Sequence, residues 1–590
     1  MCGIIGIVSA NAIQEQLIES LKKLEYRGYD SAGIATIENG EFLVTKTAGK
    51  ICELEKKLKT DLHYGNIGIG HTRWATHGKA TMQNSHPFES ENLCLVHNGI
   101  IENFKEIKIN FNLKTVSQTD SEIILRLLEK NLNENKYLNI NILIKTCNTL
   151  IGSYSLAILD KKQNKLFLAK NKSPLYVVQT NNKTICSSDI ICFDNNELYF
   201  DMEDNEYCEI YLNKIIFYNK IGEIINKTAK KILLLNNTTT KNNYNYFMEK
   251  EIYETKNVLQ NIYDYYFDDN YCIKKNVFEY LNNDCKNLLK NCLFKDVKLI
   301  GCGTACHSAK FGERFFENCC NLESRTFVAS EFKNSILNEK SLCVFVSQSG
   351  ETADTILALE FAKSKHCFCV AITNCLHSKI AKMADMVLPI LAGPEIAVAS
   401  TKAYSAQIAV LQIFAKYLSD NNEIEFAQNF NNFVQNFEIS NKNIFNKITD
   451  FIDNNSICFI LGKGEDFITA EEASLKIKEI AYINCLALPA GELKHGTLAL
   501  IDDKTPVIII CTNNSYVSKC KSTKEEIEAR GGKVLFVSQF ETEPLLQNFD
   551  HEFMPIPSII PFQLSALKLS VLKGLNPDQP RNLAKSVTVE

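Results

Sequence analysis

The sequence predicts an α+β domain at the N-terminus, followed by two α/β domains with parallel sheets flanked by helices. Residues 1–230 consist mostly of short apolar runs broken by Gly, Asn and Asp. A polar stretch, NNTTTKNNYN at 236–245, then interrupts the pattern, and strands alternate with helices beyond it. At 590 residues the chain is too long for one hydrophobic core, so several domains are expected.

The N-terminal region, which we place at residues 2–230, is predicted to be built on sheets. Helices are predicted over Ala12–Glu25 and Thr119–Asn131, and the second carries Asp120 and Glu122 in its first turn, where the helix dipole favours acidic groups. Apolar runs bounded by turn residues are predicted as strands over Ile4–Val8, Ser31–Ile37, Asn66–His71, Leu93–His97 and Tyr154–Leu159.

The C-terminal part repeats one strand pattern. The predicted strands are Val297–Gly301, Leu342–Ser347, His366–Thr373 and Met386–Ile390, then Ile457–Gly462, Val507–Cys511, Gly532–Val537 and Glu552–Ile556. The first interval between strand ends runs from 301 to 347 and from 462 to 511, which is 46 and 49 residues. This self-similarity indicates a duplication, and ligands bind at the carboxyl ends of strands in such sheets. We expect a linker over 231–270, α/β domains over 271–425 and 440–575, and a tail over 576–590.

Composition narrows the functional classes. The net charge of −5 gives no argument for a nucleic acid or an anionic membrane as a partner. No apolar run approaches the ~20 residues that span a bilayer, so no membrane segment is expected. The 22 cysteines, without a secretory signal and without a CxxC pair, favour reduced thiols and a cytoplasmic protein.

Cys2 is a candidate nucleophile because it becomes the N-terminal residue once Met1 is removed. Its α-amine, with a reference pKa of ~7.7–8.0, can then serve as the base that activates its thiol. Most cysteines, however, are buried small apolar side chains. Its position alone leaves both interpretations open.

The segment SQSGET at 347–352 follows the apolar strand Leu342–Val346 and precedes a helix predicted to begin near Ala353. Hydroxyls and backbone N–H groups at a helix N-terminus form an anion site, most often for phosphate. A plain Ser-rich turn with capping hydroxyls also fits the sequence. The second copy has TNNS at 512–515 in the same place, so only the first copy carries the full set of hydroxyls.

A predicted helix over Glu471–Ile483 places Glu472, Lys476 and Glu479 on one face. A surface ladder of ion pairs usually accounts for such spacing. The run AGELKHG at 490–496 follows closely and adds His495 in a Gly-flanked loop. Acidic and basic groups near a phosphate site suit proton transfer on a sugar phosphate.

In the first domain, the polar clusters are RWATHG at 73–78 and HNG at 97–99. Asn98-Gly99 fits a hairpin turn, and it also fits an amide and an N–H aimed at an oxyanion. The spacings of the neighbouring histidines match no familiar metal-ligand pattern, so they are interpreted as core or solvated groups: His71, His77, His86 and His97.

These motifs resemble two families. MCGIIGIV, LEYRGYDSAGIA, HTRWATHG, HPF, VHNGIIEN and TDSE resemble the class II, N-terminal nucleophile (Ntn) glutamine amidotransferase domain. GCGT, VSQSGETADT, EIAVASTKAY, LKIKEIAYI, AGELKHG and DQPRNLAKSVTVE resemble sugar isomerase (SIS) domains. The combination resembles isomerizing aminotransferases that transfer the amide nitrogen of glutamine to fructose 6-phosphate and yield glucosamine 6-phosphate and glutamate. The resemblance implies an Ntn glutaminase domain followed by two SIS domains, a homodimer, and no metal or organic cofactor.

For the glutaminase half, the resemblance implies that Cys2 attacks the glutamine amide and that Asn98 and Gly99 form the oxyanion hole. Arg73 and Asp120 would bind the α-carboxylate and the α-ammonium of glutamine. Further positions that match the site are Trp74, Thr76, His77 and His86; in the family the tryptophan matching Trp74 gates an ammonia channel.

For the synthase half, the phosphate cradle would be Ser347, Gln348, Ser349 and Thr352. Other substrate-binding matches are Cys302, Thr304, Ala399 and Ala584. Glu479 matches the base that moves a proton between C1 and C2, and Lys476 matches the residue that assists it. His495, from the neighbouring subunit, would open the sugar ring, and Lys585 would form a Schiff base with the ketose.

The departures from the family pattern are few: Ala305 replaces a common Ser, Thr497 a Pro, Ala397 a Gly, and Thr255-Lys256 a Gln-Pro. A different class II amidotransferase would need another acceptor domain in place of the duplicated SIS pattern. A sugar-phosphate sensor would predict loss of Cys2, Glu479 or Lys585, and all three are present. A deglycase built on SIS halves would lack the glutaminase domain.

Overall fold

The computed structural model describes residues 2–74, 78–132, 137–232, 240–274, 277, 294–419, 423–439, 442–453, 455–541 and 545–587. By their internal contacts the residues form two compact units. The first unit comprises Met1–Leu235 with Ala584–Val589, and the second comprises Asn236–Leu583.

The first unit is built mainly of strands. In chain order they are β1 (Gly3–Ser9), β2 (Ser31–Glu38), β3 (Glu41–Ala48), β4 (Ile67–Arg73), β5 (Phe88–Glu89), β6 (Leu93–Ile101), β7 (Gly152–Asp160), β8 (Lys165–Asn171), β9 (Tyr176–Gln179), β10 (Lys183–Ser187), β11 (Leu198–Asp201), β12 (Glu206–Tyr211), β13 (Lys214–Tyr218), β14 (Ile224–Ile225) and β15 (Lys230–Lys231). The described helices are α1 (Gln14–Leu24), α2 (Ile51–Leu58), α3 (Phe104–Asn110), α4 (Asp120–Asn131) and α5 (Ile140–Cys147). The predicted helices and strands of this region are confirmed, with small shifts at their ends.

The strands form two antiparallel sheets that pack face to face. One has eight strands in the order β15-β11-β9-β10-β1-β4-β2-β3, and the other has seven in the order β14-β13-β12-β8-β7-β6-β5. In β1, Ile4 faces a core shared with Val96 of the second sheet, whereas Ile5 packs with Leu17 and Leu21 of α1. This alternation follows from the two-residue period of a strand. Since helices cover both outer faces, β1 is buried throughout and its sequence is a nearly continuous apolar run.

The second unit has an α/β architecture. Its elements are α6 (Phe247–Tyr253), α7 (Thr255–Tyr266), β16 (Asp296–Gly301), α8 (Thr304–Cys320), β17 (Glu323–Val328), β18 (Ser341–Ser347), α9 (Ala353–Ser364), β19 (Phe368–Thr373), α10 (Lys379–Met383), β20 (Met386–Pro389), α11 (Lys402–Leu418), α12 (Glu423–Asn436), α13 (Lys442–Ile452), β21 (Ile457–Gly462), α14 (Glu465–Ala481), β22 (Asn484–Pro489), β23 (Pro506–Cys511), α15 (Val517–Glu528), β24 (Lys533–Ser538) and α16 (Pro555–Leu572). Two parallel sheets result, in the orders β17-β16-β18-β19-β20 and β22-β21-β23-β24.

The predicted duplication is confirmed by the topology. The first copy, β16–β20, and the second copy, β21–β24, share the order of their first four strands. In each copy the first strand leads through a glycine into a helix of 17 residues, α8 or α14. The two glycines have the same unusual backbone, with φ 54° and ψ −126° at Gly303 and φ 60° and ψ −129° at Gly464. Only glycine adopts this conformation readily.

Several local expectations were wrong. The strand predicted over Glu552–Ile556 is a 3₁₀ turn that leads into α16, because Pro555 and Pro557 lack the N–H groups that a ladder needs and fit the first turn of a helix. The strands β17 and β22 were not predicted. The helix predicted from Glu471 begins at Glu465, directly after Gly464.

The segment expected as a linker, 231–270, contains α6 and α7, whose apolar residues belong to the core of the second unit. Residues 233–239, which include part of the polar stretch, lie outside the described residues. Among the described helices, α16 alone is long and apolar enough to cross a membrane by length and composition, and 78% of it is buried inside the protein. A buried core helix passes the same test.

Candidate active sites

The first candidate centre surrounds Cys2, which lies directly before β1 and is partly exposed. The backbone N–H of Trp74 donates a hydrogen bond to the Cys2 Sγ over 3.3 Å. The main-chain oxygen of Cys2 accepts from Asn98 Nδ2 at 2.9 Å and from Arg27 Nε at 3.1 Å. The structure therefore brings together three residues that the sequence singled out: Cys2, Trp74 and Asn98.

Asn98 and Gly99 lie inside strand β6, so the interpretation as a hairpin turn was wrong. Both pair with β7, Asn98 with Ser155 and Gly99 with Tyr154. Gly99 has φ 132°, and a Cβ there would lie 1.9 Å from the carbonyl oxygen of Ser153. Only glycine fits this position, which places a side-chain amide and a backbone N–H next to one another near Cys2.

Buried histidines hold the Asn98 amide in place. His71 Nε2 lies 3.1 Å from Asn98 Oδ1 and 3.0 Å from the oxygen of His97, and both are acceptors, so Nε2 carries the proton. His71 Nδ1 then accepts from His86 Nδ1 over 3.1 Å. Burial lowers the pKa of His71 to about 3 and the pKa of His86 well below its usual value. These two histidines are neutral core groups, in line with the prediction for this cluster.

Burial raises the pKa of the Cys2 thiol, and the hydrogen bond from Trp74 and the guanidinium groups of Arg73 and Arg27 act in the opposite direction. Because the neutral thiol is favoured, a base is needed to form the thiolate nucleophile.

Two charged candidates lie on neighbouring elements. Asp120, the first residue of α4, is buried and accepts from the N–H of Ile101 at 2.9 Å. Arg73, at the end of β4, donates to the carbonyl of Gly78 at 3.3 Å. Thr76 and His77 lie outside the described residues.

The second candidate centre begins at the carboxyl end of β18. Ser347 Oγ lies 3.0 Å from Thr352 Oγ1 and accepts from the N–H of Gly350 at 3.1 Å, and Ser349 Oγ accepts from the N–H of Glu351 at 3.2 Å. Gly350 has φ 64°, and a Cβ there would lie 1.9 Å from Ser378 Oγ. The backbone thus curls tightly before α9, and its hydroxyls gather at the N-terminus of that helix, as an anion site requires.

A network of ions lies on helix α14. Lys476 Nζ contacts Glu479 Oε2 at 2.6 Å, Thr304 Oγ1 at 3.0 Å and Glu472 Oε1 at 3.4 Å. The Lys476 and Glu472 side chains are 0% exposed, so the interpretation as a surface ladder was wrong. The two carboxylates raise the pKa of Lys476 against the effect of its burial, which keeps it charged.

The two carboxylates of this network differ in access. Both oxygens of Glu472 are engaged, Oε1 by Thr304 at 3.1 Å and Oε2 by His307 Nδ1 at 2.7 Å. Glu479 is 22% exposed and is held through Oε2. Of the two, Glu479 is the carboxylate that a substrate can reach. Sequence reasoning missed His307, whose only signal is its position one turn beyond Thr304 on α8.

The remaining candidates are more dispersed. His495 is exposed in the loop after a 3₁₀ turn at Glu492–Lys494, and Ala399 is buried between β20 and α11. Cys302 Sγ lies 3.7 Å from Thr355 Oγ1. Ala584 and Lys585 belong to the tail segment that groups with the first unit, so their place in the synthase site stays a prediction. Among the described residues, no group of three or more His, Cys, Asp or Glu could hold a metal ion.

Comparison with known proteins decides the family. The model of the SIS domain matches residues 295–417 and 451–572, and the model of a glutamine amidotransferase domain matches residues 71–195. A glutamine–fructose-6-phosphate aminotransferase (isomerizing) from Caldanaerobacter subterraneus subsp. tengcongensis is 37% identical over 621 residues, with all of both chains covered. The chain belongs to this aminotransferase family. The relative from Oceanobacillus iheyensis is 36% identical, again over the whole of both chains.

A solved structure also matches the second unit. The C-terminal domain of the glucosamine–fructose-6-phosphate aminotransferase from Francisella tularensis aligns with 58% of this chain and all of its own, with a TM-score of 0.53 and 28% identity. The fold class predicted from the sequence, an Ntn glutaminase domain followed by two SIS domains, is confirmed.

Proposed function

We propose that this chain transfers the amide nitrogen of glutamine to fructose 6-phosphate and isomerises the product to glucosamine 6-phosphate. The observation that carries the proposal is the ion network on α14, in which buried Lys476 holds the accessible carboxylate of Glu479 at 2.6 Å. Family membership supplies the class of reaction, and this network supplies a base suited to moving a proton on a sugar phosphate.

In the glutaminase half, Cys2 is the nucleophile once Met1 is removed. Its thiol attacks the side-chain amide carbon of glutamine, the thiol proton passes to the α-amine, and ammonia leaves as a glutamyl thioester forms. Asn98 Nδ2 and the Gly99 N–H stabilise the developing oxyanion. Arg73 and Asp120 bind the charged α-groups of glutamine, and the other positions that match the family's glutamine site are Trp74, Thr76, His77 and His86. Water then cleaves the thioester and releases glutamate.

In the synthase half, the hydroxyls and N–H groups of residues 347–352 hold the phosphate of the ketose. The Lys585 amine adds to C2, and water leaves as the imine forms. Ammonia then adds to C2 and the Lys585 amine leaves, after which Glu479 moves a proton from C1 to C2. Glu479 carries the proton between the two carbons, and its ion pair with Lys476, at 2.6 Å, positions the carboxylate. The sugar is further contacted by Cys302, Thr304, Ala399 and Ala584.

In this proposal, His495 opens the sugar ring of the substrate bound to the neighbouring subunit, so the working form is a homodimer. We also propose that it works in the cytoplasm. The exposure of His495 on its own chain supports this assignment, because an exposed loop can reach a partner.

A coupled assay tests the proposal. The purified chain is incubated with glutamine and fructose 6-phosphate, and glutamate and glucosamine 6-phosphate are quantified together. We expect near-equal amounts of the two products. Glutamate without amino sugar would contradict the synthase half, and neither product from a chain with a processed N-terminus would contradict both halves.

A further inference from the structure

The two SIS copies can be compared residue by residue at the start of their first helices. Gly303 and Gly464 occupy the same position before α8 and α14. A Cβ on Gly301 would lie 2.8 Å from the carbonyl carbon of Ala305, and a Cβ on Gly462 would lie 2.3 Å from that of Asp466. Ala305 of the first copy is therefore the counterpart of Asp466 of the second.

The loops that face these two residues also correspond. Ile300 pairs with Phe345 in the first copy, and Leu461 pairs with Ile509 in the second. Both pairs lie one residue before the end of the first strand. Gln348 and Thr512 each lie three residues beyond the paired residue of the facing strand, so they are equivalent positions. Gln348 belongs to the loop that we assign to phosphate, and Thr512 stands in its place in the second copy.

In the second copy, an internal carboxylate lies on this loop. Asp466 is 2% exposed, its Oδ2 accepts from the N–H of Thr512 at 2.9 Å, and its Oδ1 accepts from Thr512 Oγ1 at 2.5 Å. A carboxylate in the first turn of a 17-residue helix, bonded to donors at a strand end, has the surroundings that suit a bound anion. Ala305, in contrast, presents only a methyl group.

We infer that Asp466 fills, from within the chain, the anion position of the second SIS copy and thereby excludes a phosphate from it. This inference rests on the proposed function, in which residues 347–352 bind the phosphate. A phosphate cannot join a carboxylate that already holds the same donors, because like charges repel and the donors are engaged.

The first test transfers the carboxylate to the first copy. Binding of fructose 6-phosphate is measured by titration calorimetry without glutamine at pH 8, where Asp466 is ionised, for the wild-type chain, Ala305→Asp and Ala305→Asn. We expect one site per wild-type chain, a loss of affinity of roughly 30-fold or more for Ala305→Asp, and a loss below about 5-fold for the uncharged, equally large Asn. Calorimetric unfolding of each variant reports that the second unit, which contains residue 305, is folded.

Equal affinities of Ala305→Asp and Ala305→Asn would overturn the inference, because charge at this position would then not compete with phosphate. A wild-type chain that binds no fructose 6-phosphate would instead contradict the proposed function, so the two failures are distinguishable.

The second test removes the carboxylate of Asp466 from the second copy. Binding of inorganic phosphate is compared between Ala305→Asp and the double variant Ala305→Asp/Asp466→Ala, since the first substitution silences the first copy. We expect the double variant to gain a phosphate site in the millimolar range. If Asp466→Ala does not fold, Asp466→Ser takes its place. A folded double variant without phosphate binding would show that Asp466 only links its helix to the loop at Thr512, and would overturn the inference.

Discussion

The centre around Cys2 and the centre around Lys476 are held in place by different means. Around Cys2, neighbouring strands carry the groups, and neutral His71 fixes the amide of Asn98. Around Lys476, one helix carries three of the groups, and full charges hold them together within 2.6 to 3.4 Å. The difference matches the proposed chemistry: an oxyanion hole needs fixed neutral donors, whereas a base for carbon acids needs a positioned carboxylate that can take up a proton.

Removing the Cys2 thiol should have the largest effect that distinguishes the activities of the two centres. We expect Cys2→Ala to lower glutamine-dependent synthesis by at least about 10³-fold, because no other group can form the thioester. Synthesis from high concentrations of ammonia should continue, since it needs only the second centre. Both rates are measured on the same preparation. Loss of both rates in folded protein would show that the two centres do not work independently.

The converse experiment removes the proposed imine. Lys585→Arg keeps the charge but cannot form a Schiff base, because arginine stays protonated. We expect glutamine hydrolysis to continue and glucosamine 6-phosphate formation to fall to background. Product analysis by mass spectrometry checks both activities, and undiminished synthesis would refute the role of Lys585.

A third prediction concerns the base itself. Glu479→Gln keeps the shape of the side chain but cannot take up a proton, so the synthase rate should fall by about 10²- to 10⁴-fold while glutaminase activity is retained. Glu471→Gln is the matched control, because Glu471 lies on the same helix and pairs with Lys310 away from the network, at 2.6 Å. Equal losses in the two variants would mean that only the helix was disturbed.

Sequence reasoning predicted the parts of these centres that depend on local patterns. The spacing of Glu472, Lys476 and Glu479 already placed them on one helix face, and the apolar strand before Ser347 indicated the strand end. What it could not supply depends on contacts distant in sequence. Buried Lys476 donates to Thr304, which lies 172 residues away, so this contact depends on how the helices α8 and α14 pack together. The strand conformation of Gly99 follows from its approach to Ser153, whereas the dipeptide Asn98-Gly99 locally favours a turn.

The network on α14 also predicts a smaller effect on the synthase rate for His307, which contacts the network from α8. His307 does not reach Glu479 but holds Glu472 at 2.7 Å, so it acts as a positioning residue. We expect His307→Ala to lower kcat of the synthase reaction about 10-fold with little change in KM, because the substrate contacts remain. His307→Asn, which retains a donor, should recover part of kcat. A change in KM alone would argue against positioning through Glu472.

The last prediction concerns a difference in how acid acts on the stability of the two units. In the first unit, the pKa of buried His71 lies at about 3, below the 6.5 of an unfolded histidine. Unfolding then takes up a proton between these values, so stability falls as pH drops below 6.5, by about 2 kcal/mol at pH 5.

In the second unit, burial raises the pKa of Asp466 to about 7, although its bonds to Thr512 act the other way. Here the folded state binds the proton, so its contribution to stability rises as pH falls from 7, by about 2 kcal/mol at pH 5. Calorimetric unfolding at pH 7.5 and pH 5 should therefore show that acid lowers the unfolding temperature of the first unit relative to that of the second. Asp466→Asn removes the second contribution and should leave only the acid sensitivity of the first unit. If the two transitions shift together in the wild type, and Asp466→Asn changes nothing, the opposite protonation of these two buried groups is refuted.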